Sequence, residues 1–390
     1  MATKVAVLGG GLVGGFIARE LSKYDDIELT LHDRSEDVLA ACSARAELAT
    51  QRTDLRDMAL VREIAGASDL VMGAVPGSFG YAVLENVIAT GTDCIDISFF
   101  PEEAAALNMA AQYSGSRVVV DCGVMPGLGG MLAARFARQF DEPLSMRILV
   151  GGLPEERLWP FEYRAPFSPA DVIEEYVRPA RYLVNGELVT VPALSGQELL
   201  DFPGIGTLEA FNTDGLRSIM ATLPYPSMIE QTLRYPGHAE KMRMLRELGF
   251  FGEQPVETVR GNRVVPLELT SSLLFDNWKL AAGMRELTVM RVEATGLKGG
   301  AELTLCCDLL DRTDPDTGDF SMARTTGLPA VLCARMLLAG KLGVEPGVTA
   351  PETIGFDETR LNYIIRGMQH YGVQFEFSEV RLQPGNGGQA

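Results

Sequence analysis

The sequence predicts an α/β protein: a doubly wound parallel sheet, then an α+β domain with a mainly antiparallel sheet. Three observations predict it. Strand-like and helix-like segments alternate up to about residue 123. The first of them frame a glycine-rich turn, Gly9-Gly10-Gly11-Leu12-Val13-Gly14. From Met146 onward the alternation gives way to a run of strand candidates punctuated by Gly-Asn and Asp-Pro-Asp turns.

KVAVLGG reads as a buried parallel strand, and LVGGFIARELSKY follows with helical spacing, Leu12, Phe16, Ile17 and Leu21 on one face. A second strand, IELTLHD, ends on Asp33. Strand, G-x-G-x-x-G turn, helix, strand and terminal acid form one βαβ unit of the Rossmann type. Gly9 makes the tight turn, Gly11 lets a pyrophosphate approach the backbone, and Gly14 lets the helix pack on the strand. The helix start, Leu12 and Val13, offers free N–H groups to the phosphates. Asp33 accepts from the ribose diol and repels a 2′-phosphate, which favours NAD; Arg34 can hold that phosphate, so NADP is not excluded.

ELATQ is a third strand leading to Thr53-Asp54, and DMALVREIAGA a helix. DLVMGAVP is a fourth strand ending at Ala74-Val75-Pro76, and FGYAVLENVIATG a helix. DCIDIS is a fifth strand ending at Asp96-Ile97-Ser98, and PEEAAALNMAAQY a helix opening on Pro101. SRVVVDCG is a sixth strand ending at Asp121-Cys122-Gly123. The carboxyl ends of such strands form the ligand crevice of this fold, so Asp54, Ala74, Val75, Pro76, Ile97 and Ser98 are cofactor candidates. Asp121 is a catalytic or substrate-orienting acid, or else a helix cap; Cys122 is a pocket thiol or a packed small residue.

In the second domain, MRILVGG, FEYRA, ELVTVP, TLEAF, the VRGNRVVPLEL pair, LTVMRVEATG and AELTLCCDLLDR are strand candidates. Thr232-Leu233-Arg234-Tyr235-Pro236-Gly237-His238 reads as a loop before a helix. Arg234 either grips a substrate carboxylate bidentately or is a solvated surface arginine; His238 is an acid–base group or a helix N-terminal residue. Thr325-Thr326-Gly327 places two hydroxyls at a helix start, and that helix, GLPAVLCARMLLAG, is expected to return to the first domain. The expected domains are 1–123, 124–325 and a returning segment 326–390, with the tail 385–390 disordered.

The 390 residues carry a net charge of −18, which argues against nucleic acid or an anionic membrane as partner. Six cysteines without C-x-x-C spacing and three scattered histidines give no metal-site pattern. The first strand begins at once, with no signal peptide, and no apolar run is long enough to span a bilayer, so a cytoplasmic protein with reduced thiols is expected.

These segments resemble the saccharopine dehydrogenase-like family, and within it the L-lysine 6-dehydrogenases more than the longer saccharopine reductases. The matching pieces are the glycine turn, VVDCGVMPGLGGMLA, FEYRAPFSPADVIEEYV with RYLVNGE, LEAFNTDGL, TLRYPGHAEKMRMLRELGFF and MARTTGLPAVLCARMLLAGKL. The resemblance implies a homodimer or higher homo-oligomer, with a substrate cleft between the nucleotide domain and a dimerising α/β domain. It implies that Asp121, Gly123 and Gly127 border the nicotinamide and substrate, and that Arg234 and Thr326 sit at the substrate end. NTDGLRS departs from the asparagine-arginine-aspartate-serine run of saccharopine reductases. The expectation is therefore oxidation of a lysine-like amino acid at its terminal amine, with NAD as acceptor, Asp121 or His238 as base, Cys122 and Gly123 beside the substrate, and no metal. The alternatives are a reductive coupling enzyme, as in saccharopine or carboxynorspermidine formation, and a non-catalytic dinucleotide sensor.

Overall fold

The computed structural model describes residues 2–165, 169–281 and 283–382. The expectation for the tail 385–390 and the centre of FEYRAPFSPADV lie outside the described residues. The chain divides into two units, residues 1–132 with 323–372, and residues 133–322 with 373–390.

The first unit is built on a parallel sheet. Its strands are β1 (Thr3–Leu8), β2 (Ile27–Asp33), β3 (Ala49–Arg52), β4 (Leu70–Gly73), β5 (Asp93–Asp96) and β6 (Arg117–Val119). Helices Leu12–Leu21, Glu36–Ser43, Met58–Gly66, Gly77–Ile88 and Asn108–Ser114 connect them. Burial on both faces explains the near-continuous apolar strands: Leu8, Leu31, Leu70 and Met72 are fully covered, each worth roughly 1.5–3 kcal/mol. The helix after β5 starts later than Pro101 suggests, because residues 104–107 form a 3₁₀ turn first.

The second unit holds β7 (Glu142–Pro154), β8 (Ala180–Val184), β9 (Glu187–Val191), β10 (Glu198–Phe202), β11 (Gly206–Asn212), β12 (Ser227–Arg234), the short pair β13 (Val256–Glu257) and β14 (Arg263–Val264), β15 (Glu286–Lys298) and β16 (Ala301–Arg312). After helix Ser321–Leu338 come β17 (Gly347–Thr349), helix Glu358–His370 and β18 (Gln374–Leu382). The first sheet runs β17-β6-β5-β4-β1-β2-β3, and every pairing in it is parallel. The second runs β10-β11-β12-β7-β15-β16-β18, with β8 and β9 added beside β12. It is antiparallel apart from the β12–β7 pair. The expected α/β class, parallel sheet first and mainly antiparallel sheet second, holds.

Several local expectations are corrected. FEYRA is not a strand: Phe161 and Tyr163 are rings packed against Trp278. The PLEL end of the VRGNRVVPLEL pair opens helix Pro266–Trp278, with proline at its first turn where a missing N–H costs nothing. The return to the first unit ends at Gly372, not at residue 390, because β18 takes the edge of the second sheet beside β16. Thr325 and Thr326 do not start a helix; the helix already begins at Ser321.

Candidate active site

The cofactor candidates gather in the first unit. Gly9 has φ +103°, and a Cβ there would overlap the Ala74 carbonyl, so β1 and the end of β4 approach as only glycine allows. A Cβ on Gly14 would strike the Gly9 carbonyl, so the helix begins directly against the strand end. Gly11 is exposed, and a Cβ there would meet nothing. That is the open cradle a diphosphate needs beside the first N–H groups of helix Leu12–Leu21. Leu12 and Pro76 are exposed and Val13, Ala74 and Ile97 half-buried, whereas Val75 and Ser98 face inward. Ser98 donates from its backbone to Asp96 Oδ1 at 2.9 Å and from its hydroxyl to Oδ2 at 3.2 Å, which fixes the loop after β5.

Asp33 ends β2 half-buried. Its Oδ2 accepts from Gly10 N and its Oδ1 from Ser35 N, both at 2.8 Å, so the carboxylate also ties β2 to the glycine loop. Arg34 is exposed beside it. Asp54 lies in the open beyond β3, ion-paired with Arg56 at 2.7 Å, and that guanidinium holds its carboxyl down to about 2. The residues present fit a dinucleotide: a tight glycine turn, an open cradle and an acid at the end of β2.

Beyond β6, Asp121 is buried with φ +51°, a left-handed backbone unusual for a non-glycine residue. Gly123 donates to Asp121 O at 2.9 Å and to Pro126 O at 3.2 Å, and bridges to Gly127. A Cβ on Gly123 would lie 3.0 Å from Thr326 Cγ2, so Asp121, Gly123, Gly127 and Thr326 share one corner of the first unit. Cys122 does not offer a surface to substrate. It is fully buried, its thiol hydrogen-bonds to the Cys333 thiol, and that contact, with burial, pushes its pKa well up.

The second unit brings Arg234 and His238 together, though not as the sequence suggests. Arg234 is not in a loop but is the last residue of β12, and it is buried. Strand alternation puts Glu230, Thr232 and Arg234 on one face. Arg234 lies over the Tyr163 ring at 4.4 Å, its Nη1 donates to Leu233 O at 2.9 Å, and its Nη2 meets Glu175 Oε2 at 3.2 Å. His238, read from the sequence as an acid–base group or a helix N-terminal residue, opens helix His238–Glu247 and is buried. Both ring nitrogens are engaged, with Tyr176 Oη at 2.8 Å and Phe161 O at 3.0 Å, and burial lowers its pKa to about 3. It braces Tyr163 and Tyr176, the rings around Arg234.

Sequence reasoning missed Glu175, Glu230, Tyr163 and Tyr176. Glu230 was reachable, since E-x-T-x-R at period two is a strand face. Its Oε2 accepts from Thr213 Oγ1 at 2.8 Å and Gly215 N at 3.1 Å, and burial raises its pKa to about 8. Arg181 forks onto Asp214 with both bonds at 3.0 Å, and Glu209 accepts from Ala239 N at 3.1 Å. Among the described residues no group of histidine, cysteine or acidic side chains could hold a metal, and no helix is long and apolar enough to cross a membrane.

A parallel sheet with this glycine loop, followed by a mixed-sheet α+β unit, defines a Rossmann-type NAD(P)-binding unit joined to an α+β unit. The chain belongs to the saccharopine dehydrogenase family: residues 5–119 match the saccharopine dehydrogenase NADP binding domain, and residues 123–373 the saccharopine dehydrogenase C-terminal domain. Among similar proteins, the mitochondrial alpha-aminoadipic semialdehyde synthase of Mus musculus is 24% identical over 90% of this chain and 45% of its own length. This chain thus spans less than half of that relative. Carboxynorspermidine synthase of Vibrio cholerae is 23% identical over 97% of both chains. The apo saccharopine dehydrogenase (L-Glu forming) of Saccharomyces cerevisiae superposes with a TM-score of 0.80 at 18% identity, covering 97% of this chain and all of that one. This last likeness shows the fold.

Proposed function

We propose that the protein is an oxidoreductase acting on a C–N bond of a lysine-like amino acid, and that it oxidises L-lysine at the ε-amine with NAD. Hydride leaves the carbon bearing the neutral amine for NAD, water adds to the resulting iminium of the substrate, and the products are NADH, ammonia and an aldehyde that cyclises to a six-membered imine with loss of that water. The observation that carries this choice is the charge balance around β12. Arg181 and Arg234 each already meet a carboxylate, and Glu175, Glu209 and Asp214 outnumber them. Such a neighbourhood suits a substrate bearing an ammonium group better than one bearing three carboxylates.

Bound nicotinamide supplies the hydride acceptor. The chain's part is to hold the dinucleotide on the glycine loop and to take a proton from the ammonium group, since only a neutral amine can lose hydride from its carbon. Asp121 is the base in this reading, and Gly123 and Thr326 line the same corner. Cytoplasmic location and a homodimer belong to the same proposal, as does the preference for NAD. Asp33→Ala should weaken NAD by about 1–3 kcal/mol, the scale for a charged hydrogen bond, and narrow the gap to NADP. Fluorescence titration of both cofactors checks this; tighter NADP binding by the wild type would show that Arg34 governs the adenosine end.

The test of the reaction is direct. Protein, NAD and lysine are incubated at mildly alkaline pH while NADH and ammonia are followed together. Equimolar release supports oxidative deamination. A second reading, reductive C–N coupling, is favoured by the full-length match to carboxynorspermidine synthase. Consumption of NAD(P)H with an amine and an aldehyde or oxo acid, with lysine inert under NAD, would select it.

A further inference from the structure

We propose that Cys122 and Cys333 are an oxidative modification site: under peroxide they close a reversible disulfide that pulls the Asp121–Gly127 turn out of its cofactor-binding shape. Such a switch acts on dinucleotide binding, whichever amine is the substrate. The two thiols are in hydrogen-bonding contact, both side chains are fully buried, and neither cysteine is in a disulfide. Cys122 lies between Asp121 and Gly123 beyond β6, and Cys333 lies inside helix Ser321–Leu338. Thr326 stands two turns before Cys333, on the same face of that helix. A Cβ on Gly123 would lie 3.0 Å from Thr326 Cγ2, so the turn runs along this face and meets it at two levels. Two thiols held in contact react with each other as one molecule rather than as two.

One thiol attacks hydrogen peroxide and becomes a sulfenic acid, releasing one water. The second thiol attacks that sulfur, its proton leaves with the sulfenic oxygen as a second water, and the S–S bond closes. The thiols lose two electrons and the peroxide gains them. A disulfide bond is about 2.05 Å long, far shorter than a thiol hydrogen bond, so one backbone must move. Cys333 is fixed within a regular helix. Cys122 sits on a turn held by Cys122 N to Asp96 O at 3.0 Å and by Gly123 N to Asp121 O and Pro126 O at 2.9 and 3.2 Å. The turn therefore yields, which displaces Asp121 and Gly123 and strains the tie to the end of β5. Strand ends of this kind are where the dinucleotide lies in this fold. Burial keeps both thiols out of reach until the turn opens, so oxidation is slow. Linkage runs both ways: a disulfide that weakens the cofactor is itself disfavoured by bound cofactor.

The experiment treats the full chain with hydrogen peroxide, with and without saturating NAD, and then removes the peroxide with catalase and the NAD by dialysis. Non-reducing peptide mapping by mass spectrometry identifies the modification, and fluorescence titration measures NADH affinity. A Cys122–Cys333 crosslink should appear, and NADH affinity should fall about tenfold and return with dithiothreitol. NAD should slow the crosslinking about tenfold. Cys333→Ala should bind NADH before treatment and lose its response to peroxide; should that variant not fold, the map and titration of the wild type decide alone. Thiols that stay reduced, a sulfinic acid in place of the crosslink, or a crosslink that leaves NADH affinity unchanged would overturn the proposal. So would equal crosslinking rates with and without NAD, or an equal loss of affinity in treated Cys333→Ala.

Discussion

Replacing Glu230 and Glu286 by glutamine should leave the protein more stable at pH 8, by about 1–3 kcal/mol for each site, and flatten its stability between pH 5 and 8. Each carboxyl is buried inside the second unit and raised from its ordinary 4.5 to about 8, chiefly by loss of solvation. Glu230 sits among Thr213, the Gly215 amide, Glu175 and Asp214; Glu286 accepts from Met322 N at 3.0 Å, with Asp311 and Glu155 nearby. Between the two values the folded chain keeps protons that the unfolded chain has released. The folded state then binds more protons than the unfolded, so stability falls as pH rises, by at most about 1.4 kcal/mol per unit and group. The contribution is fully present below pH 4.5 and lost as pH climbs through 8. Glutamine keeps the shape and an acceptor oxygen but does not titrate. Urea unfolding of the wild type and of E230Q/E286Q at half-unit steps from pH 5 to 8.5 measures the difference. Parallel profiles would show that neither carboxyl is held neutral.

The first unit was largely legible because its rules are local. A glycine that must turn, an apolar run covered on both faces and an acid at a strand end each leave a mark within a few residues of the chain. Gly9, Gly11, Gly14 and Asp33 therefore read directly from sequence to geometry. The second unit was less legible because its polar groups meet across long separations. Glu175 and Arg234 lie 59 positions apart, and Thr213 and Glu230 lie on different segments, 17 apart. Turn-forming Pro236 and Gly237 made the whole of TLRYPGH look like a loop, although Thr232 to Arg234 finish β12 in register with Phe211 and Glu209. Once the strand is seen to continue, arginine and histidine move from surface to interior, and the titratable histidine becomes a buried brace. The C-terminal strand was missed for a related reason. QFEFSEVRL alternates weakly and is exposed along most of its length, as an edge strand can be.

Gly11→Ala should abolish useful cofactor binding without costing stability, and Gly14→Ala should cost both. The two glycines lie three residues apart in one turn, yet their surroundings are opposite. A methyl group on Gly11 would touch no protein atom within 4 Å, and the backbone there, with φ −58°, suits any residue. The folded chain accommodates that alanine, so its unfolding midpoint should stay within about 2 °C of wild type. The same methyl group would stand where the diphosphate must approach the backbone and the helix N-terminus. Losing that approach should cost about 3 kcal/mol, a factor of about 100 in affinity for NAD or NADP. A methyl group on Gly14 instead runs into the Gly9 carbonyl and lies 3.0 Å from Ala74 Cβ. The helix must back away from β1 to admit it, an overpacking cost of about 1–3 kcal/mol that also pulls the N–H groups from the phosphates. Cofactor titration and thermal unfolding on the same three samples decide the matter. If Gly11→Ala binds NAD(P) like the wild type, the diphosphate does not cross the glycine turn there, and the cofactor lies elsewhere on the strand ends.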